Sequence, residues 1–517
     1  MKSKILKLGV PVVLACTYCG GFAQQINPIT EAVLQNYGEI LAENPKDYVT
    51  LYDRASQYYD MGEYVRALSD IDMALEYIPD NDKAYRQAAN SLKSDILTSQ
   101  KNYNAALEAV NAALKVNPVS QPDLYKAGNL YLLTNNPGEA LKAFQGLQRE
   151  NPRSQEAFYG MAKAHVMSGN RAEAEKLIKE VESLGMQSFI TYCRIGDLYA
   201  DMGNLKEAAA NYTIAYTMED NSIRPVESLK VINKKDPKTV MGAIDEMIVS
   251  KPDNLALLYI KAILAFDRGN YSEAEKACKD LAKGIEEDSP AVYRMMGMSQ
   301  LAQNKLDEAA QSIETAEKLA PSDAGVILDK AEITISKDPQ SAYDLAIKAL
   351  TLNPGNERGE MVAVTAAMKA GKYPEAQTIL NNMILSNPSN IEALLLRGYL
   401  NSEYLKDGKA GIADYTRAGN AQQNGSVENL VYAALGKAKT NKKLDADGMI
   451  NEAIGKANDK DAFYLIAIYF AQTGNLEKAK EYVDKAVASG YGNLYNLQRN
   501  DTPLLNLQPI QHLTGGK

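Results

Sequence analysis

The chain predicts an all-α solenoid of stacked helix–turn–helix units, because its prolines, its small and aromatic residues and its glycines all recur in one register. Pro45, Pro79, Pro118, Pro152, Pro252, Pro321, Pro354 and Pro388 each close a stretch of helical pattern. Pro45 to Pro79 is 34 residues, Pro118 to Pro152 is 34, Pro321 to Pro354 is 33 and Pro354 to Pro388 is 34. A helix tends to finish before a proline. Self-similarity at about 34 residues is the mark of helix pairs that bury their apolar stripes only by stacking.

Within that period the interior falls into register. In the unit from Tyr48, Ala55 is eighth, Tyr58 eleventh, Gly62 fifteenth, Ala67 twentieth, Ile71 twenty-fourth, Ala74 twenty-seventh and Pro79 thirty-second. The unit from Gln121 gives Gly128, Tyr131, Ala140, Phe144, Leu147 and Pro152 at matching places. From Phe189 the series is Gly196, Tyr199, Gly203, Ala208, Tyr212 and Ala215, and from Pro290 it is Gly297, Ala309, Ile313, Ala316 and Pro321. Small residues at eight and twenty let the two helices of a unit approach. Large ones at eleven and twenty-four fill the space between units. Gly62, Gly169, Gly203, Gly269, Gly371 and Gly474 suit the left-handed end of a first helix.

This pattern resembles the tetratricopeptide repeat, and the resemblance covers nearly all of residues 48 to 490 in about twelve units. It implies a right-handed superhelix whose first helices, A, line a concave groove. Taken in order, residues 1–23 read as a leader and 24–47 as an N-terminal capping helix, with Val33, Tyr37 and Ile40 at second-helix places. Residues 48–220 form the first part of the array. The 39-residue step from Pro79 to Pro118 implies a longer first helix around Ala84 to Thr98. Residues 221–252 match poorly and are expected to be a degenerate repeat or hinge; 253–418 form the second part. Residues 419–457, without a closing proline, are an irregular repeat; 458–490 are the last unit. Residues 491–517 break the period and are expected to cap it, with an interaction tail as the alternative.

The formal charge of −9 and pI near 5.2 argue against sequence-independent nucleic-acid binding, which needs a basic face. Lys2, Lys4 and Lys7 precede a short apolar run, Leu8 to Ala15, and Gly21-Phe22-Ala23 offers small residues for a signal peptidase. Cleavage between Ala23 and Gln24 is the expectation, giving an exported, periplasmic or outer-membrane-associated protein. Acylation of Cys16 in Val13-Leu14-Ala15-Cys16 is the competing one. No transmembrane span is expected in the mature chain, whose longest apolar run is Ala462 to Ala471. Cys193 and Cys278 lie in repeats that do not adjoin, so no disulfide between them is expected.

No catalytic or metal constellation accompanies the repeats. His165 takes the eleventh place of its unit, where other units carry tyrosine, and His512 has no second imidazole or thiol nearby. Cys278 is a core place, and Cys193 is a groove place without a partner for metal or nucleophile chemistry. There is no P-loop, HExxH or GxSxG, and Asp445-Ala446-Asp447-Gly448 lacks the remaining carboxylates of a calcium loop. No enzyme activity and no cofactor are expected. The absence of Trp also counts against a sugar-stacking receptor.

What remains is a surface. By the resemblance, the exposed groove places are the second, fifth, ninth, twelfth and thirteenth. They supply Tyr52, Ser56, Tyr59, Tyr125, Asn129, Tyr159, Lys163, Asp197, Tyr259 and Arg294 as candidate partner-binding residues. Tyr52, Tyr125 and Tyr159 share the fifth place, where they either meet a partner or pack against the next A helix. The Lys/Asn carboxylate clamp of the family's chaperone-binding members is not present in successive units. The expected role is a non-catalytic scaffold of the cell envelope that binds proteins or peptides. The alternative is an outer-membrane-tethered accessory of an assembly, secretion or glycan-uptake complex.

Overall fold

Periodicity of this kind folds as helices throughout. The computed structural model describes residues 28–185, 188–218, 222–285, 287–303, 305–420 and 425–489, and among them there is no strand. The leader (1–23, with Cys16 and Ala23), Gln24 after it, and the closing segment (491–517, with His512) lie outside the described residues. The chain divides into two compact units at residue 243.

In the N-terminal unit α1 (Pro28–Glu43) precedes the pairs. They are α2 (Tyr48–Asp60) with α3 (Tyr64–Tyr77), α4 (Lys83–Ser99) with α5 (Tyr103–Val116), and α6 (Gln121–Leu133) with α7 (Pro137–Glu150). Next come α8 (Gln155–Met167) with α9 (Arg171–Ser183), α10 (Phe189–Asp201) with α11 (Leu205–Met218), and α12 (Ile223–Lys235) leading into α13 (Pro237–Ser250). The division between units falls inside α13, within the poorly matching stretch 221–252.

The C-terminal unit continues with α14 (Leu255–Asp267) and α15 (Tyr271–Gly284), α16 (Pro290–Ala302) and α17 (Leu306–Leu319), α18 (Ala324–Thr334) and α19 (Pro339–Leu352). After α20 (Glu357–Lys369) and α21 (Tyr373–Ser386), α22 (Ile391–Tyr399) runs on as a π-helical segment, Leu400–Tyr404, before α23 (Gly408–Gly419). Last come α24 (Val427–Lys439) with α25 (Lys443–Lys456) and α26 (Lys460–Gln472) with α27 (Leu476–Ala488).

Ten first helices end in a common way, while α12 stops at Asp236 (φ −145°) and α18 at Ile335 (φ −48°) without a left-handed residue. Gly62, Gly169, Gly203, Gly269, Gly371 and Gly474 take φ of 72° to 84°, and Lys101, Asn135, Lys406 and Asn441 fill the same place with φ of 57° to 60°. The next amide then reaches back five residues, as in Glu63 N to Tyr58 O (2.8 Å) and Asn475 N to Phe470 O (2.8 Å). That one turn reverses the chain into the second helix.

The place-eight and place-twenty-four residues pack directly on each other. A Cβ on Gly128 would lie 2.6 Å from Phe144, on Gly196 2.6 Å from Tyr212 and on Gly297 2.8 Å from Ile313. Each of those pairs is 16 residues apart. Gly398 meets Tyr415 at 17, and Arg54–Asp70 at 16 becomes Arg397–Asp414 at 17. The repeat that holds α22 therefore carries one extra residue, and the π segment absorbs it. Residues 427–457, by contrast, form an ordinary pair, α24 and α25, with Asp445–Gly448 in the first turns of α25.

Neighbouring pairs are also joined by buried polar groups. Glu275 on α15 is 3% exposed and accepts from Gln300 (3.2 Å), Gln303 (2.8 Å) and Lys305 (2.6 Å), while Lys279 pairs with it at 2.6 Å. Burial alone would push its carboxyl up; the hydrogen bonds from Lys279, Lys305, Gln303 and Gln300 outweigh it and hold the group at about 2. A depressed carboxyl contributes stability above its unfolded value, and that contribution disappears as pH falls through the folded one. Relative to an ordinary 4.5, the shift corresponds to as much as about 3 kcal/mol. Glu275→Gln should thus be less stable than the wild type at neutral pH, and the difference should close between about pH 4.5 and 2 in acid titrations followed by circular dichroism. A constant difference across that window would contradict the assignment.

Candidate functional site

Curvature decides which face of the array is the inner one. Successive first helices pack on one another, α6 on α8, α8 on α10 and α10 on α12 in one unit, α14 on α16, α16 on α18 and α24 on α26 in the other. The second helices show no comparable packing across pairs. Within each unit the first helices are therefore crowded together and form the inner layer, where the candidate residues sit.

At the start of the N-terminal unit, Tyr52, Ser56 and Tyr59 are half-buried on α2. The Tyr52 ring meets Tyr85 edge-on at 5.8 Å, Tyr48 meets the same ring at 5.5 Å, and Tyr59 lies 6.0 Å from Tyr64. Tyr48 also donates its hydroxyl to Asp82 at 2.9 Å. Tyr85 comes from an added N-terminal stretch of α4, which has 17 residues against the 13 of α2.

The centre of the inner layer is polar. Buried Asp123 accepts from Gln87 (2.7 Å), Ser91 (2.6 Å) and Ser120 (2.7 Å), and Lys126 bridges Ser91 (2.8 Å) and Asp95 (2.5 Å). These bonds tie α4 to α6. Tyr125 leans toward Phe144 at 6.5 Å, and Asn129 is half-buried one turn on.

Farther along, Arg194 lies over the Tyr159 ring at 5.4 Å, a cation–π distance. Asp197 accepts from the Tyr212 hydroxyl (2.8 Å) and from Arg224 (2.7 Å). Desolvation pushes the Tyr159 hydroxyl up to about 12, with Asp197 adding to it and Arg194 opposing. Desolvation also raises the Asp201 carboxyl, against the pull of half-buried Lys163. The strip from α2 to α12 thus offers rings with polar tips, both signs of charge and amide or hydroxyl groups. That is the chemistry of a polypeptide contact. His165 is half-buried on α8.

Three residues expected in the groove are otherwise engaged. Cys193 is fully buried, because the fifth place faces the neighbouring first helix. Tyr259 is 9% exposed, for the same reason, with its hydroxyl pushed up to about 12 by burial. Arg294 is half-buried and strapped to α18 through Asp329 (2.7 Å) and Asp323 (3.6 Å). Arg358 of α20 shares Asp329 (2.8 Å) and also binds Glu332, so the five groups lock three first helices together. Cys278 is buried in the core.

Tyr85, Gln87, Ser91, Asp95, Lys126, Arg194, Arg224 and Arg358 were not among the expected groove residues. Tyr85 escapes because it lies in the added turn. Counting back from Pro118 puts Ser91 and Asp95 at the fifth and ninth places, a signal that alignment from the preceding proline hides.

Sequence models of the tetratricopeptide repeat match residues 131–184 and 334–398, and a second such model matches 190–221 and 461–489. The chain carries tetratricopeptide repeats. It is 24% identical over 350 residues to the TPR repeat-containing protein MJ1428 of Methanocaldococcus jannaschii, across 63% of the chain and 60% of that relative's length. Among solved structures it is similar to yeast Tom70, with a TM-score of 0.38 and 13% identity over 91% of this chain and 98% of that one. It is also similar to YrrB, described as a TPR protein with an unusual peptide-binding site, with a TM-score of 0.31 and 20% identity over 38% and 99% of the two chains.

Proposed function

We propose that this repeat protein is a non-catalytic scaffold that holds partner polypeptides against the inner layer of its N-terminal unit. The reading rests on the run of half-buried tyrosines and mixed charges on α2, α4, α6, α8 and α10. Tyrosine contributes large contact area at low entropic cost, and aromatic residues dominate the energetics of protein interfaces. The setting we propose is the envelope of an exporting bacterium, on the basic and then apolar pattern of residues 1–23. Acylation at Cys16 would tether the same scaffold to a membrane and favour work in an assembly, secretion or glycan-uptake complex. Among the described residues no helix is long and apolar enough to cross a membrane.

A photo-crosslinking residue at Ser56 or Asn129 should trap envelope proteins, whereas one at Val65, 78% exposed on the second helix α3, should not. Tyr52→Ala, Tyr125→Ala and Tyr159→Ala combined should weaken a recovered partner by roughly thirtyfold or more, the weight of one aromatic hot spot. Equal trapping from Val65, or undiminished binding by the folded triple variant, would remove the basis for this reading. Mass spectrometry of the mature N-terminal peptide separates cleavage after Ala23 from acylation at Cys16.

A further inference from the structure

The extensive packing of the C-terminal unit joins helices that are consecutive or one apart in the chain. Among the described residues, Arg358 of α20 also reaches Met298 of α16 at 3.9 Å, and one contact spans far more of the chain. Lys460, the first residue of α26, donates from Nζ to the main-chain carbonyl of Arg268 at 3.2 Å, across 192 residues. Arg268 is the C-cap of α14, so the final pair of the unit reaches back to the pair six earlier. A helix C-terminus leaves carbonyls without intrahelical partners, which makes it a ready acceptor for an amine.

The surroundings of that amine fit it on two more sides. The Tyr271 ring centroid lies 5.5 Å from Lys460 Nζ. Gly269, next to Arg268, leaves the space the amine occupies: a Cβ there would fall 1.6 Å from Nζ. At the equivalent Gly62, Gly169, Gly203, Gly371 and Gly474 a Cβ would meet nothing within 4 Å. The turn itself calls for a left-handed residue, which asparagine also supplies at Asn135 and Asn441. At position 269 the missing side chain serves the amine in addition to the turn.

We infer that Lys460 is a latch that closes the C-terminal unit on itself, holding α26 against the end of α14, and that releasing it opens the inner layer of that unit. Repeat arrays draw their stability from neighbour interfaces, which this contact does not touch. The unit therefore stays folded with the latch open, and the two states differ in access to α16, α18, α20, α22 and α24.

The test uses the full chain with Cys16 and Cys19 replaced by serine and spin labels on cysteines introduced at Lys276 (α15) and Lys480 (α27), both exposed, while Cys193 and Cys278 are buried. The wild type should give one narrow distance distribution. Lys460→Met, which keeps the length of the stem but not the amine, should lengthen and broaden it. Gly269→Asn, which keeps the turn and fills the amine's space, should do the same. Gly371→Asn, the same change at an open position, should leave the distance unaltered, and circular dichroism should show full helicity in all three. A wild-type distance in either Lys460→Met or Gly269→Asn overturns the latch, as does an equal shift in Gly371→Asn.

Discussion

Gly436→Ala destabilises the C-terminal unit more than any other single methyl group added to its helices. A Cβ at 436 on α24 would stand 2.6 Å from Gly419 N and 2.7 Å from the Tyr415 carbonyl oxygen, both main-chain atoms of the preceding pair. At Gly128 or Gly196 the obstacle is a ring, and a ring can tilt. Here the two backbones must separate. Overpacking costs about 1–3 kcal/mol when side chains can adjust, so this site belongs at or above the upper end. A loss of about 3 kcal/mol would lower the melting temperature of a unit of this size by roughly 6–12 °C. Gly448→Ala on α25 is the matched contrast. Its Cβ would meet nothing within 4 Å, so relief of glycine's entropy should raise stability by about 0.5–1 kcal/mol. Thermal melts of the two variants should move in opposite directions; a Gly436→Ala melt within 1 °C of the wild type, on the order of what about 0.5 kcal/mol produces, would show that the helices separate freely.

Arg397→Met should be the most damaging loss of charge. Arg397 binds both oxygens of Asp414, at 2.9 and 2.5 Å, and holds Asn381 at 2.7 Å. Asp414 is 4% exposed, and without the guanidinium it keeps Asn401 at 3.2 Å. Breaking a buried pair from one side costs roughly 3–5 kcal/mol, because the remaining charge is left in a poor dielectric. Removing both partners, as Arg397→Met with Asp414→Leu, should recover most of that loss. The exposed Lys142–Glu139 pair, with side chains 71% and 52% exposed, is the opposite case, and its removal should leave the denaturant midpoint unchanged because solvent screens the two charges. Denaturant melts of the single and double variants measure the coupling; a double variant no better than Arg397→Met would mean that packing at 397, and not the stranded carboxylate, sets the cost.

Much of this architecture is written in local chemistry. Glycine at Gly62 or Gly474, alanine at Ala67 and proline at Pro79 act through the backbone or through steric size. A helix end, a close approach and a helix stop can therefore be assigned from the residue alone. The extra residue in α22 was also legible, in the spacing of 17 between Gly398 and Tyr415 against 16 in the other units. It was missed because a degraded consensus downstream drew the irregularity to 419–457. The inner layer was read less well. Place numbers say which way a residue points from its own helix, but not how closely the next first helix presses on it. That pressure is what buried Cys193 and Tyr259 while leaving Tyr52, Tyr125 and Tyr159 half open. Arg294 was lost to the groove through partners supplied by α18 and α20, which its own unit does not reveal.

The one-sided packing of each unit has a mechanical meaning. First helices bear on one another while second helices do not, so flexure that tightens the curl of a unit drives the first helices into hard repulsion, whereas flexure that opens it parts their contacts a little at each pair. Each unit is accordingly stiff toward tightening and softer toward opening. The load of an opening is shared over many pairs, so a unit widens without a single hinge.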